Sequence, residues 1–158
     1  MITTRLATPA DAERLARLRW DFRTELRLDP TPPPHTWEEF QVEMLAFLTE
    51  AFASSSWVIW LAEEDGQITA NLYIRRIRKV PNPAHFMVEI GYVTNVYCIP
   101  ERRNQGVGDQ LMQAAQEWAN AEGLELLFLW PSKRSVPFYL RHGFSKENAI
   151  LEFMMDGD

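Results

Sequence analysis

Residues 98–112 read "CIPERRNQGVGDQLM". An apolar run, "GYVTNVYCI", leads into this stretch. Val107, Leu111, Ala114, Ala115 and Trp118 carry it on as an amphipathic helix that ends near Gly123. The seven residues "RRNQGVG" therefore turn a strand into a helix. The first amides of a helix lack internal partners, point outward and sit at the positive end of the macrodipole. Gly106 and Gly108 remove the Cβ atoms that would keep a ligand off the backbone. Asn104 tolerates left-handed backbone angles, and Arg102 and Arg103 carry full positive charges suited to phosphate oxygens. Two readings stand for the heptapeptide alone: glycines that merely start a helix beside solvated arginines, or a cradle for an anion. It is not a nucleotide-triphosphate loop, because no Gly-Lys-Ser/Thr follows. Nor is it the dinucleotide pattern Gly-x-Gly-x-x-Gly, because Leu111 stands at the last position.

Working outward, "LELLFLW" (124–130) is a near-continuous apolar run, as in a buried parallel strand. "SVPFYLRHGF" (135–144) predicts a short helix capped by Gly143, and "AILEFMM" (149–155) a closing strand. Upstream, "FMVEIGYVTNVYCI" (86–99) is apolar on both faces, as a central strand is. Asp65-Gly66 joins "WVIWLA" to "QITANLYIRRI" as a hairpin, with Ile68, Ala70, Leu72 and Ile74 on one buried face and Thr69, Asn71, Tyr73 and Arg75 on the other, exposed one. Thr8, Pro9 and Asp11 open a first helix with a stripe of Leu15, Leu18, Phe22 and Leu26. The loop "LDPTPPPH" breaks that helix. A second starts near Thr36 and aligns Phe40, Met44, Phe47, Leu48 and Ala51. Ile2 to Leu6 form the first strand. The order is β-α-α-β-β-β-α-β-α-β, a mixed α/β fold in a single domain spanning residues 1–158.

Composition narrows the function. At 46% hydrophobic and 24% charged, the 158 residues have a globular rather than a disordered profile. The net charge of −6 argues against nucleic-acid and anionic-membrane binding, and the basic run "RRIRK" (75–79) reads as a solvated strand end. One cysteine, Cys98, excludes an internal disulfide, and no leader-like or membrane-length apolar run is present, so a cytoplasmic setting is expected. His35, His85 and His142 are isolated in sequence, and no metal site is expected.

The strand "NVYCIPE", then Arg103-x-x-Gly106-x-Gly108, then "LMQAAQEWA", resembles the coenzyme-binding core of the GNAT superfamily of N-acetyltransferases. "SVPFYLRHGF" is similar to a second family segment, and "RLATPADAERLARL" and "WLAEEDGQITA" to its first strand and helix and its second hairpin. The resemblance implies a central, mostly antiparallel twisted sheet, its fourth and fifth strands parallel and splayed at the coenzyme site, flanked by about four helices. It implies an N-acetyltransferase moving the acetyl group of acetyl-CoA, as cosubstrate, to a primary amine of a small molecule or protein by direct attack. The alternative is a catalytically silent acyl-CoA-binding sensor or interaction protein of the same fold. Homodimers are common among such proteins.

Carried over by position, the resemblance places the pyrophosphate on the backbone of Arg103, Asn104, Gln105, Gly106, Val107, Gly108 and Asp109, and pairs the pantetheine arm with Val96, Tyr97 and Cys98. Cys98 is expected to be a small apolar filler rather than a nucleophile, with no histidine nearby in sequence. The chain departs from the family pattern at Asn104 and Gln105, which stand for a glycine and a basic residue. It departs also at Asp109, a carboxylate repulsive to phosphate if it points inward, and at Ser132, which stands where many members have a coenzyme-contacting Asn. Tyr139 matches the tyrosine that commonly protonates the leaving thiolate. The base is open among Tyr92, Thr94, Glu89 and a water chain; Glu89 has the opposite strand parity and needs a β-bulge to reach the same face. Trp57, Trp60 and Trp130 are candidates to line an acceptor pocket, and Trp20 and Trp37 flank the loop that commonly shapes it. Net charge tilts the acceptor toward a cationic amine such as an aminoglycoside, a polyamine or a lysine side chain.

Overall fold

The computed structural model describes residues 1–25, 31–147 and 150–155; Leu26 and the start of the 28–35 loop lie outside these. The elements are β1 (Ile2–Leu6), α1 (Ala12–Thr24), α2 (Trp37–Ala53), β2 (Trp57–Glu64), β3 (Gln67–Arg78), β4 (Glu89–Cys98), α3 (Val107–Ala121), β5 (Leu127–Phe128) and α4 (Val136–Arg141). The five strands lie side by side in chain order. The first three pairings are antiparallel and β4–β5 is parallel. Among the described residues, no helix is long and apolar enough to cross a membrane.

Both helix starts foreseen from the sequence have a local cause. At α2 the Glu39 amide donates to Thr36 Oγ1 at 3.2 Å, and Glu39 Oε2 accepts from the Thr36 amide at 2.9 Å. At α1, which is led in by one 3-10 turn, the Thr8 amide donates to Asp11 Oδ2 at 2.8 Å. Asp11 also accepts from the two terminal nitrogens of the Arg5 guanidinium, Nη1 and Nη2, which holds its pKa down at about 2.

The sheet is covered on both faces. On one, α1 and α2 pack Leu15, Leu18, Met44 and Leu48 against Ile59, Leu61 and Tyr73. On the other, α3 packs Val107, Leu111, Met112 and Ala115 against Ala70, Leu72, Ile74 and Val93. Each leucine fully buried in this way contributes roughly 1.5–3 kcal/mol. The double cover corrects the reading of β3: Thr69, Asn71 and Tyr73, taken as a solvent face, are 2%, 0% and 2% exposed. Asn71 and Tyr73 face α1 and α2, and Thr69 sits at the bulge against β2. Ile68 joins the α1–α2 side because the β2–β3 register slips by one residue at Thr69.

Two irregularities shape β4. Its parallel contact with β5 has only two rungs, Gly91 opposite Leu127 and Tyr92 opposite Phe128. Beyond Tyr92 no β5 residue pairs with it. Against β3, Asn71 pairs with Tyr97 and Tyr73 with Thr94, so Asn95 and Val96 together oppose Leu72. This bulge puts Asn95 at φ +51°, and its carbonyl accepts from Asn71 Nδ2 at 2.7 Å.

The closing strand is a correction. Ile150 to Met155 are in no strand, and Leu151 and Phe153 are 93% and 87% exposed. A strand needs a partner to satisfy its backbone, and β5 is two residues long with Pro131 soon after it. "LELLFLW" likewise contributes only Leu127 and Phe128 to the sheet. Beside β5 runs a groove of about 920 Å³, bordered by Leu127, Leu129, Trp130, Tyr139 and Phe144 and by Ile150 of the tail.

Candidate active site

The turn between β4 and α3 has the character that its sequence predicts. Asn104 and Gly106 both take left-handed angles, φ +60° and +83°. Among the described residues, the amides from Asn104 to Asp109 donate to no protein acceptor, because the α3 ladder first closes at the Gln110 amide on the Gly106 carbonyl, 3.1 Å. These consecutive donors open beside the stretch of β4 that β5 leaves unpaired. A Cβ on Gly106 would meet nothing within 4 Å, so the space over the turn is open. Gly108 has another reason: its Cβ would stand 3.4 Å from the Phe138 ring, and its absence lets α4 close on α3. Val107 is buried beneath the turn, and Gln105 Nε2 donates to the Glu101 carbonyl at 2.9 Å.

The charged groups are less free than the sequence implies. Arg103 folds inward: Nε donates to the Cys98 carbonyl at 2.9 Å, Nη2 pairs with Glu25 at the end of α1, and the guanidinium lies 5.5 Å from the centre of the Tyr97 ring. Tyr97 OH donates to the same Glu25 carboxylate at 2.7 Å. Burial first, then Glu25, push the Tyr97 pKa upward. Arg103 thus ties the turn to β4 and α1. Arg102 pairs with Glu64 at 3.0 Å. Asp109 points away from the open amides toward α4, bound by His142 Nε2 at 2.8 Å and Arg141 at 3.0 Å. His142 first, and Arg141 with it, hold its pKa below the usual carboxylate range. The repulsion that Asp109 would bring if it pointed inward is thereby turned aside.

On β4, Val96 and Cys98 face the α3 side and Tyr97 the α1–α2 side. Burial raises the Cys98 thiol pKa despite the nearby Arg103, which is the wrong direction for a nucleophile. Tyr139 lies in the shell of the α3-side core, with Val96, Cys98 and Leu127 in the same shell. Its ring meets Phe138 and Phe144 edge-on at 5.2 and 5.6 Å, and burial pushes its phenol up to about 12. Tyr92 stacks on Phe128 at 5.4 Å and meets Trp130 edge-on at 5.2 Å, just where β4 and β5 part. Thr94 follows it on the same face.

Glu89 is not brought to this place. The β4 bulge falls at Asn95, beyond Tyr92 and Thr94, so Glu89 keeps its opposite parity. Its carboxylate is held by both Arg76 Nη2 and Nε, at 2.8 and 3.2 Å. Ser132 is exposed and closes the turn before α4, its Oγ donating to Ser135 Oγ at 2.9 Å. Trp57 packs between Phe47 and Tyr73, away from the β4–β5 gap that Trp130 borders. Sequence reasoning missed Glu25, Gly91, Asn95 and Arg19. Of these only Arg19 left a signal, a cation one turn after Leu15 on the apolar stripe of α1.

A two-rung parallel pair, a bulged fourth strand and a Gly-x-Gly turn with unpartnered amides are combined in one sheet. A model of the acetyltransferase (GNAT) family matches residues 13–144. The chain belongs to this family. Among its GNAT relatives is the uncharacterized N-acetyltransferase YhfO of Bacillus subtilis, 23% identical over 115 residues that cover 70% of this chain and 74% of that protein. Another is the aminoglycoside N(6')-acetyltransferase type 1 of Klebsiella aerogenes, 30% identical over 93 residues, 58% of this chain and 59% of that one. The crystal structure of a predicted acetyltransferase with acetyl-CoA from Clostridium acetobutylicum has a TM-score of 0.78 at 25% identity, covering 98% and 96% of the two chains. As a GNAT protein the chain is an acyltransferase, and its fold is the mixed α/β one with β4 and β5 parallel.

Proposed function

We propose that the protein is an acetyl-CoA-dependent N-acetyltransferase acting on a primary amine by direct attack. The observation that carries this is the run of unpartnered amides from Asn104 to Asp109 beside the unpaired part of β4. The amides fit a pyrophosphate, whose oxygens accept backbone N–H bonds at a helix start, and the missing Gly106 Cβ leaves the approach open. The related Clostridium protein, solved with acetyl-CoA, supports the same ligand. The free edge of β4 from Val96 to Cys98 suits an arm that pairs like a strand.

Acetyl-CoA, as cosubstrate, supplies the thioester. The amine nitrogen bonds to the thioester carbonyl carbon, the carbon–sulfur bond breaks, the nitrogen sheds a proton and the sulfur gains one. Tyr139 holds a proton at its phenol oxygen throughout the neutral range and serves as the donor to sulfur. Tyr92 and Thr94 sit on the opposite face of β4, where the amine enters, and orient it or a water that accepts its proton. With Glu89 engaged by Arg76, no carboxylate of β4 is available as the base.

The test has two stages. Calorimetry with acetyl-CoA, ATP and NAD is expected to show binding of acetyl-CoA alone. Thiol release with a panel of amines then separates turnover from mere binding. No acetyl-CoA binding by the folded protein would remove the proposal.

A further inference from the structure

The acceptor side of the β4–β5 gap carries a cation that nothing in the proposed chemistry uses. Arg19 occupies a core-facing position of α1, one turn after Leu15 and one before Phe22, and is half-buried against β3 and β4. Its Nη1 donates to Asn95 Oδ1 at 3.2 Å, at the bulge just past Thr94. Among the described residues it has no carboxylate partner. The acidic groups that follow it in the chain turn elsewhere: Asp21 pairs with Arg17 at 3.0 Å, and Glu25, just past α1, with Arg103. Arg23 adds a second positive charge rather than relief. The phenols of Tyr73 and Tyr92 lie close enough to Arg19 to interact electrostatically. Tyr73 is 2% exposed; its hydroxyl interacts with the Asn95 side chain, yet no partner meets it in well-formed hydrogen-bond geometry.

A half-buried guanidinium without a counter-ion, next to a buried hydroxyl without a partner, is costly for the empty protein and favourable for a protein holding an anion. Burial already pulls the Arg19 pKa down from its ordinary value, while leaving it charged. An anion there accepts from the free guanidinium nitrogens and from the phenol, and gains charge-assisted bonds in a place shielded from water.

We propose that Arg19, Asn95 and Tyr73 form a subsite for a carboxylate, so that the acceptor is an amine that itself bears a carboxylate, as an amino acid does. The proposal deepens the transferase reading and rests on it. The one guanidinium bonded to Asn95, that of Arg19, matches one negative charge, which favours a carboxylate over a phosphate dianion. The local charge therefore runs opposite to the net charge of −6, which by itself pointed to a cationic acceptor.

The experiment measures thiol release from acetyl-CoA with free L-amino acids, the same amino acids as carboxamides, glucosamine 6-phosphate and an aminoglycoside. Wild type is expected to favour acids over their amides by about tenfold or more in kcat/KM, mainly through KM. Arg19→Met should erase that preference and Arg19→Lys restore part of it, with acetyl-CoA affinity by calorimetry unchanged in both. Equal use of acids and amides by wild type, a preference kept by Arg19→Met, a better phosphate or aminoglycoside acceptor, or no carboxylate acceptor at all overturns the subsite. Loss of acetyl-CoA binding in wild type overturns the transferase reading instead, and the two failures are distinct.

Discussion

Gly91 and Leu127 face each other across the parallel pair so closely that a Cβ built on Gly91 would stand 2.5 Å from Leu127 Cδ2 and 3.0 Å from Ile74 Cγ2. The absent side chain sets how near β5 comes to β4 before the two part. Gly91→Ala is expected to lower stability by roughly 1–3 kcal/mol, the range for an overpacked core. Leu127→Ala in the same chain should recover part of the loss, since it removes the nearest atom. Urea melts of the single and double variants check this; additive losses would show that the two residues are not coupled.

Gly106 and Gly123 sit before and after α3, both at positive φ and both facing open space. Alanine at either site should cost about 1 kcal/mol of stability from left-handed strain. Only Gly106→Ala also places a methyl over the unpartnered amides. Its acetyl-CoA affinity should fall by about tenfold or more, while Gly123→Ala binds as wild type does. Calorimetry on the pair separates strain from ligand contact.

Removing the guanidinium in Arg103→Ala leaves the Glu25 carboxylate, 12% exposed, without that partner and frees the turn from the Cys98 carbonyl. A loss of roughly 1–3 kcal/mol in stability is expected, together with weaker coenzyme binding. Arg103→Lys keeps the charge but cannot span both acceptors, and should recover little of either. Arg78→Ala, at an exposed end of β3, should change neither. Thermal melts and coenzyme titrations on the three variants are the check.

Tyr139→Phe keeps the ring contacts with Phe138 and Phe144 and removes only the hydroxyl. If the phenol is the principal donor to sulfur, kcat should fall by about 10²–10⁴-fold with acetyl-CoA affinity unchanged. Its pKa of about 12 keeps the donor protonated, so its ionisation gives no alkaline fall in rate below that region. Stability behaves differently. The unfolded phenol ionises near ~10 while the buried one stays neutral, so the Tyr139 contribution declines as pH rises from about 10 towards 12. The pH dependence of kcat and of the urea midpoint distinguishes the two effects.

Much of the fold was legible because local chemistry and global structure agree. The Thr36–Glu39 box, the hairpin at Asp65-Gly66 and the turn at Gly106 each declare themselves within a few residues. Asn71 and Tyr73 misled because alternation marks a solvent face only when nothing covers it, and the cover here comes from helices that end well before the strand in the chain. The tail "AILEFMM" has strand-like composition, yet pairing depends on the partner edge, which its own residues do not encode. In the site, the turn was readable and the fate of its charges was not. Whether Arg103 meets a phosphate or Glu25, and whether Asp109 faces the turn or His142, depends on contacts 78 and 33 residues distant.

Two residue pairs, with the Glu125 amide on the Glu89 carbonyl just ahead of them, join the N-terminal meander to everything after it within the sheet. An arm lying along β4 beyond Tyr92 would lengthen that seam with bonds that the chain does not supply. The coenzyme would then be a folding partner as well as a reagent, adding RT ln(1 + [L]/Kd) to stability, about 2.7 kcal/mol at a hundredfold excess over Kd. In a cell starved of coenzyme, the same seam would be where the protein opens first and where proteases begin.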